Sequence, residues 1–212
     1  MELTLIQKIV IYALPVIFAI TVHEAAHGYA ARYFGDMTAQ QEGRITLNPL
    51  NHIDPIGTIL IPALTMMLGG ILFGWAKPVP VNFGNLRNPK RDMLWVAAAG
   101  PASNLVMAIL WAVVFSFSTH APVAFVMPLS LMAQAGIMIN VVLLVLNLLP
   151  LPPLDGGRIA VSLLPNHLAF QFAKIERFGF IILIVLLFTG VLYQIMMPFI
   201  KAALWLIGVI TT

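Results

Sequence analysis

Apolar residues run through this chain in long blocks, without the alternation of a half-buried strand or the one-sided stripe of a water-facing helix. The blocks cover residues 5–31, 56–73, 93–117, 123–149 and 178–197. A helix that crosses a bilayer needs roughly 20 apolar residues. By that measure 5–31, 93–117, 123–149 and 178–197 are expected to span. Pro62 and Gly69-Gly70 interrupt the block 56–73, so it is expected to dip into the bilayer and return. After 149, Pro150, Pro152 and Pro153 stop the helix, and 158–164 reads as a short one. The pattern assigns no element to the tail after Pro198. Between blocks, 37–54 is polar and carries the turn-forming steps Asn48-Pro49 and Asp54-Pro55. The segment 76–83 alternates Pro and Val and reads as extended chain. The fold class expected is all-α and polytopic. It would have about four to six transmembrane helices, a re-entrant segment, and a short extended or β element.

Composition agrees. Of 212 residues, 60% are hydrophobic and 9% charged, against about 25% charged in a soluble domain. Most of the surface must therefore face lipid, and residues 1–212 are expected to form a single membrane domain. Eleven cations against eight acids form no basic stripe, which argues against nucleic acid as a partner. The cations suit the membrane edge, where they orient a chain. No cysteine is present, which excludes disulfides and thiolate metal sites. Any zinc must use histidine and carboxylate. The first block lacks a basic leader and a small-residue cleavage site, so it is expected to be retained.

That first block also carries the chemistry. It contains His23-Glu24-Ala25-Ala26-His27. Helix residues four apart share a face, so both imidazoles can reach one ion. The glutamate between them is placed to take a proton from metal-bound water. The bland alternative is a pair of packed histidines beside a helix glutamate. Ionisable residues are costly inside a span, and three within five positions need a stabilising partner, which a divalent ion supplies. A catalytic zinc takes three protein ligands and keeps one position open. Most acids lie in expected termini or loops. Asp155 follows a long apolar helix directly, and Gly156-Gly157 permit a sharp turn at membrane depth. Its alternative role is N-cap of the short helix from Arg158. With Asp155 and an ionised Glu24, a zinc site is formally neutral, which lowers the cost of burying it.

These residues resemble the site-2 protease family of intramembrane zinc metalloproteases, in its compact bacterial branch. The H-E-x-x-H element is His23 to His27, and N-x-x-P-x-x-x-x-D-G is Asn147 to Gly156. G-P-x-x-N falls at Gly100, Pro101 and Asn104. The stretches 44–57 and 74–82 match as well. The resemblance implies one zinc per chain on His23, His27 and Asp155, with Glu24 as general base. It implies a substrate that is a membrane-spanning protein segment. Asn104 and Asn147 match positions that orient substrate or site, though helix–helix hydrogen bonding in lipid accounts for them equally. His52 could approach the zinc from a folded-in loop, but an ordinary loop histidine is the simpler reading. The extended 76–83 segment is expected to hold an unwound substrate by adding a strand.

Two rivals remain: a membrane metal transporter, and a catalytically idle relative that only binds membrane segments. Sharing one ion also constrains topology. The histidine pair lies near the end of the first helix and Asp155 just past the end of 123–149. Two crossings lie between them, so 56–73 must not add a third. Arg32, Arg44, Lys77, Arg87 and Arg158, among others, then share the zinc-side face, and Lys8 lies on the other. The positive-inside rule makes the zinc face cytoplasmic in a multi-pass protein of the cell membrane.

Overall fold

A computed structural model describes residues 4–61 and 76–211. Helix α1 (Leu5–Tyr33) opens with a capping box, in which Thr4 and Gln7 satisfy each other's backbone N–H groups. It ends at Phe34, and Gly35 then takes a positive φ of 111°, which a residue with a Cβ resists. The one-turn α2 (Thr38–Gln41) follows. A 3₁₀ turn at Pro49–His52 and a π turn at Pro55–Leu60 come next. Helix α3 (Pro89–Phe117) begins on a proline, whose missing N–H is no loss at a first helical position. It pairs with α4 (Val123–Asn147). Then come α5 (Asp155–Leu163), α6 (Asn166–Ala173), α7 (Glu176–Phe188) and α8 (Val191–Thr211).

Among the described residues, four helices are long and apolar enough to cross a membrane: Val10–Tyr33, Pro89–His120, Val123–Asn147 and Val191–Thr211. Helix α1 packs against α3 and α4, and α5 packs on α3. Ala108 and Ala112 on α3 are buried against Val141 and Val145 of α4 and against Leu183, Met196 and Ile200 of α7 and α8. Small side chains let helix backbones approach closely where apolar burial alone gives little drive, as in lipid. The outward positions are large and apolar, among them Leu110, Phe125 and Ile181.

The described ends of the loop regions converge on one end of this bundle. Arg87 donates its backbone N–H to the Phe34 carbonyl at 3.0 Å and its guanidinium to the Tyr33 carbonyl at 3.0 Å. Lys90 reaches the Leu164 carbonyl at 2.6 Å. The chain therefore leaves α1 and enters α3 at the same level. The Lys77 N–H donates to the His52 carbonyl at 2.9 Å, so the segment between them starts and finishes together. The re-entrant segment expected at 56–73 lies for the most part outside the described residues.

Three expectations change. The block 178–197 is not one span: α7 stops at Phe188, Gly190 takes a φ of 75°, and α8 starts at Val191. Helix α8 then runs through Pro198 into the tail, so the true break is a glycine rather than the proline. The short helix begins at Asp155, three residues before the position read from the sequence, with Leu154 as its N-cap. Asp155 is thus its first residue and not its cap.

The third correction concerns the extended or β element. Among the described residues there is no strand, and 76–82 is irregular. Pro78 and Pro80 offer no N–H to a ladder. The neighbouring groups are taken by side chains instead. The Val79 N–H donates to Glu24 Oε2 at 2.8 Å, and the Asn82 N–H to Asp36 Oδ2 at 2.7 Å. Arg44 Nη2 donates to the carbonyls of Lys77 and Pro78 at 3.1 and 3.2 Å. The segment is a strap clamped by one buried cation and two carboxylates. Burial pushes the Asp36 carboxyl up, but hydrogen bonds from Thr38, Asn82 and Asn85 outweigh it and hold the pKa below the usual value.

Candidate metal centre

His23 and His27 sit one turn apart on the inner face of α1, with ring centroids 4.7 Å apart. Each ring is oriented by its Nδ1. His23 Nδ1 lies 2.6 Å from Asn104 Oδ1, and His27 Nδ1 lies 2.7 Å from the Val96 carbonyl, both on α3. A backbone carbonyl only accepts, so His27 carries its proton on Nδ1. For His23 the same conclusion follows through a chain of amides. Asn140 on α4 donates to the Gly136 carbonyl at 2.8 Å, which turns its own oxygen outward. That oxygen accepts from Asn104 Nδ2 at 2.9 Å, and Asn104 Oδ1 is left facing His23. Asn104 and Asn140 are both fully buried. The tautomer of His23 is thereby fixed by a main-chain carbonyl three links away. Asn140 did not emerge from the sequence. Its available signal was an amide in the middle of an apolar block, seven positions before Asn147 and therefore close to the same helix face.

Both Nε2 atoms then point at one place. They are 3.1 Å apart, and each is 3.3 Å from Asp155 Oδ2. Asp155 Oδ2 is buried and makes no hydrogen bond among the described residues. Three electron-pair donors converging without a shared donor call for a cation. Tetrahedral zinc with bonds of about 2.0–2.1 Å separates its ligand atoms by roughly 3.3 Å. The observed triangle has that size, so the donor set fits one such ion. Among the described residues this is the one group able to hold a metal. A transport path would need a second set.

Glycines seat the ligands. A Cβ on Gly100 of α3 would overlap both imidazoles, and one on Gly156 would overlap the main chain of Leu148 at the end of α4. Only glycine lets α3 press on the histidine pair and lets the Asp155 turn fold back under α4. A cavity of about 180 Å³ opens beside the ligands, lined also by Glu24, Asn147, Val79, Phe83 and Arg158. Glu24 stands outside the three-ligand group, with its carboxylate on the Val79 N–H. Asn147 lines the cavity and donates to the Leu143 carbonyl of its own helix at 3.1 Å. His52 is neither in the cluster nor in the cavity lining. It is buried in the loop, where Nε2 donates to the Thr46 carbonyl at 3.0 Å.

Helices of spanning length, with α1, α3 and α4 enclosing a buried site of two histidines and one carboxylate, define a membrane-embedded metallopeptidase. Comparison with known proteins gives the family. The model of peptidase family M50 matches residues 119–190, which include Asp155. The zinc-metalloprotease candidate YwhC of Bacillus subtilis is 40% identical over 190 residues, covering 88% of this chain and 84% of that protein. The Rip2 zinc-metalloprotease candidate of Mycolicibacterium smegmatis is 34% identical over 179 residues, 83% of this chain and 66% of the relative. That of Mycobacterium tuberculosis is 29% identical over 187 residues, covering 82% and 68%. No solved structure matches. The chain belongs to peptidase family M50, and its site is that of an intramembrane zinc metalloprotease.

Proposed function

We propose that this protein hydrolyses peptide bonds in transmembrane segments of other membrane proteins, with Glu24 as general base and its site near the cytoplasmic face. The observation that carries the reading is the position of Glu24: beside the ligands, in their cavity, yet outside the ligand set. His23, His27 and Asp155 would hold the ion. A zinc bound there supplies a polarised carbonyl and a water of lowered pKa. Glu24, steadied by the Val79 N–H, would accept a proton at its carboxylate from the attacking water and release it to the leaving amine nitrogen as the peptide C–N bond breaks. The hydroxyl ends on the carbonyl carbon, so the whole step adds one water. Asn147, at the cavity wall, is placed to touch the substrate. A substrate helix hides its carbonyls in its own hydrogen bonds and must unwind locally to expose one.

Glu24→Gln is expected to lower cleavage of a model transmembrane substrate by about 10²–10⁴-fold, with zinc content unchanged. Turnover close to that of the unaltered protein would remove Glu24 as base. The cytoplasmic orientation rests on the cations gathered at the site end of the bundle, Arg32, Arg87 and Lys90 among them. With no native cysteine, introduced ones can be mapped without background. Cysteines at Asn51 and Asn88 should label from the cytoplasmic side, and one at Thr119 from the opposite side. Labelling of 51 and 88 from different faces would refute this topology.

A further inference from the structure

Arg158 brings a positive charge into the catalytic cavity that the mechanism above does not use. It lies on α5, three residues after Asp155, so it faces the same side of that helix. Its guanidinium rests on the Phe83 ring, 4.9 Å from the centroid, and both side chains line the cavity. Asp155 lies against His23 and His27, and no ion pair joins Arg158 to Asp155 or Glu24. A guanidinium held over an aromatic ring still has its N–H groups to offer. It is the one Lys or Arg among the residues lining that space.

We infer that Arg158 is a substrate-binding residue that donates hydrogen bonds to backbone carbonyl oxygens of the unwound segment. This rests on the proposed function and adds a subsite to it. Local unwinding leaves carbonyls without donors in a cavity walled largely by apolar side chains, where each unsatisfied group is costly. Of the strap residues at the cavity, Pro78 has no N–H and that of Val79 is committed to Glu24, which leaves the N–H of Val81. The planar fork of an arginine can meet two such acceptors at once. An acidic substrate side chain is the less suitable occupant. Glu24 and Asp155 already face the cavity, and a further carboxylate would be repelled and stripped of water, whereas a neutral carbonyl is not.

The test uses the full-length Glu24→Gln protein, loaded with zinc in detergent micelles, so that binding is read without turnover. The probe is a fluorescent transmembrane peptide that is apolar throughout its middle, compared with a version carrying one glutamate there. Adding Arg158→Gln should weaken binding of both peptides about 10–100-fold, the range for a hydrogen bond to a charged group. Arg158→Lys should recover part of that, and zinc content should be the same in every variant. In the active protein, Arg158→Gln should act mainly through KM. Weakened binding of the glutamate peptide alone would overturn the proposal in favour of a side-chain pocket. Unchanged affinity, or zinc loss that tracks the binding loss, would also overturn it. If the Glu24→Gln parent bound no peptide, the substrate reading itself would fall, and this subsite with it.

Discussion

Around α7 and α8 the buried side chains are Leu183, Leu192, Met196, Ile200 and Ile207, packed on the alanines of α3 and the valines of α4. On the side of α3 and α4 that faces α1 and α5, the buried polar groups include His23, Asn104, Asn140 and Asp92, and Asp36 is buried in the loop after α1. The first region is held by close contact, which has no preferred direction and tolerates small changes of shape. The second is held by directional bonds running from main-chain carbonyls through amides to imidazoles. In lipid, apolar burial does little to draw helices together, so contact shapes the bundle but cannot aim a nitrogen. The polar region aims three ligand atoms at one point, and each of its links needs the next.

Predictions that break this contrast follow from it. Asp155→Ala should remove both zinc and cleavage, because two histidines alone leave the triangle open. Activity lost at full zinc occupancy and unchanged affinity would mean that Asp155 is not the third ligand. Asn104→Ala should lower zinc affinity by about 10–100-fold, the usual cost of losing the group that orients a ligating histidine. Affinity equal to that of the unaltered protein, measured by competition with a chelator, would show that His23 needs no such partner. In the apolar region, Ile200→Val should cost about 0.5–1.5 kcal/mol in unfolding from micelles and leave zinc affinity untouched. A loss of zinc there would show that the two regions are coupled.

Much of the site was legible in the sequence because its chemistry is local. His23, Glu24 and His27 need only helical periodicity to share a face, and Asp155 needed only a helix end marked by prolines and glycines. The spanning blocks were legible for a similar reason, since bilayer thickness sets their length. The break at Gly190 was not. Pro198 looked the stronger stop, yet the chain continues through it as helix, and the glycine ends α7. The strap misled in another way. Alternating Pro and Val reads as extended chain, but 76–82 is irregular, because what its remaining N–H groups meet decides whether a segment pairs as a strand.

The sequence by itself determined the ligand types, the glutamate between the histidines, the membrane setting and the helices that carry them. Tertiary structure alone decided what each of those groups touches. Nothing in the order of residues says that Asn140 turns Asn104, that the Val79 N–H holds Glu24, or that Arg158 shares a cavity with Glu24. The partners in those contacts are separated by 36, 55 and 134 positions. Local pattern acts over a turn or two of helix, whereas hydrogen-bond geometry is satisfied only after the helices have packed. The aim of the metal site is therefore a property of the assembled bundle.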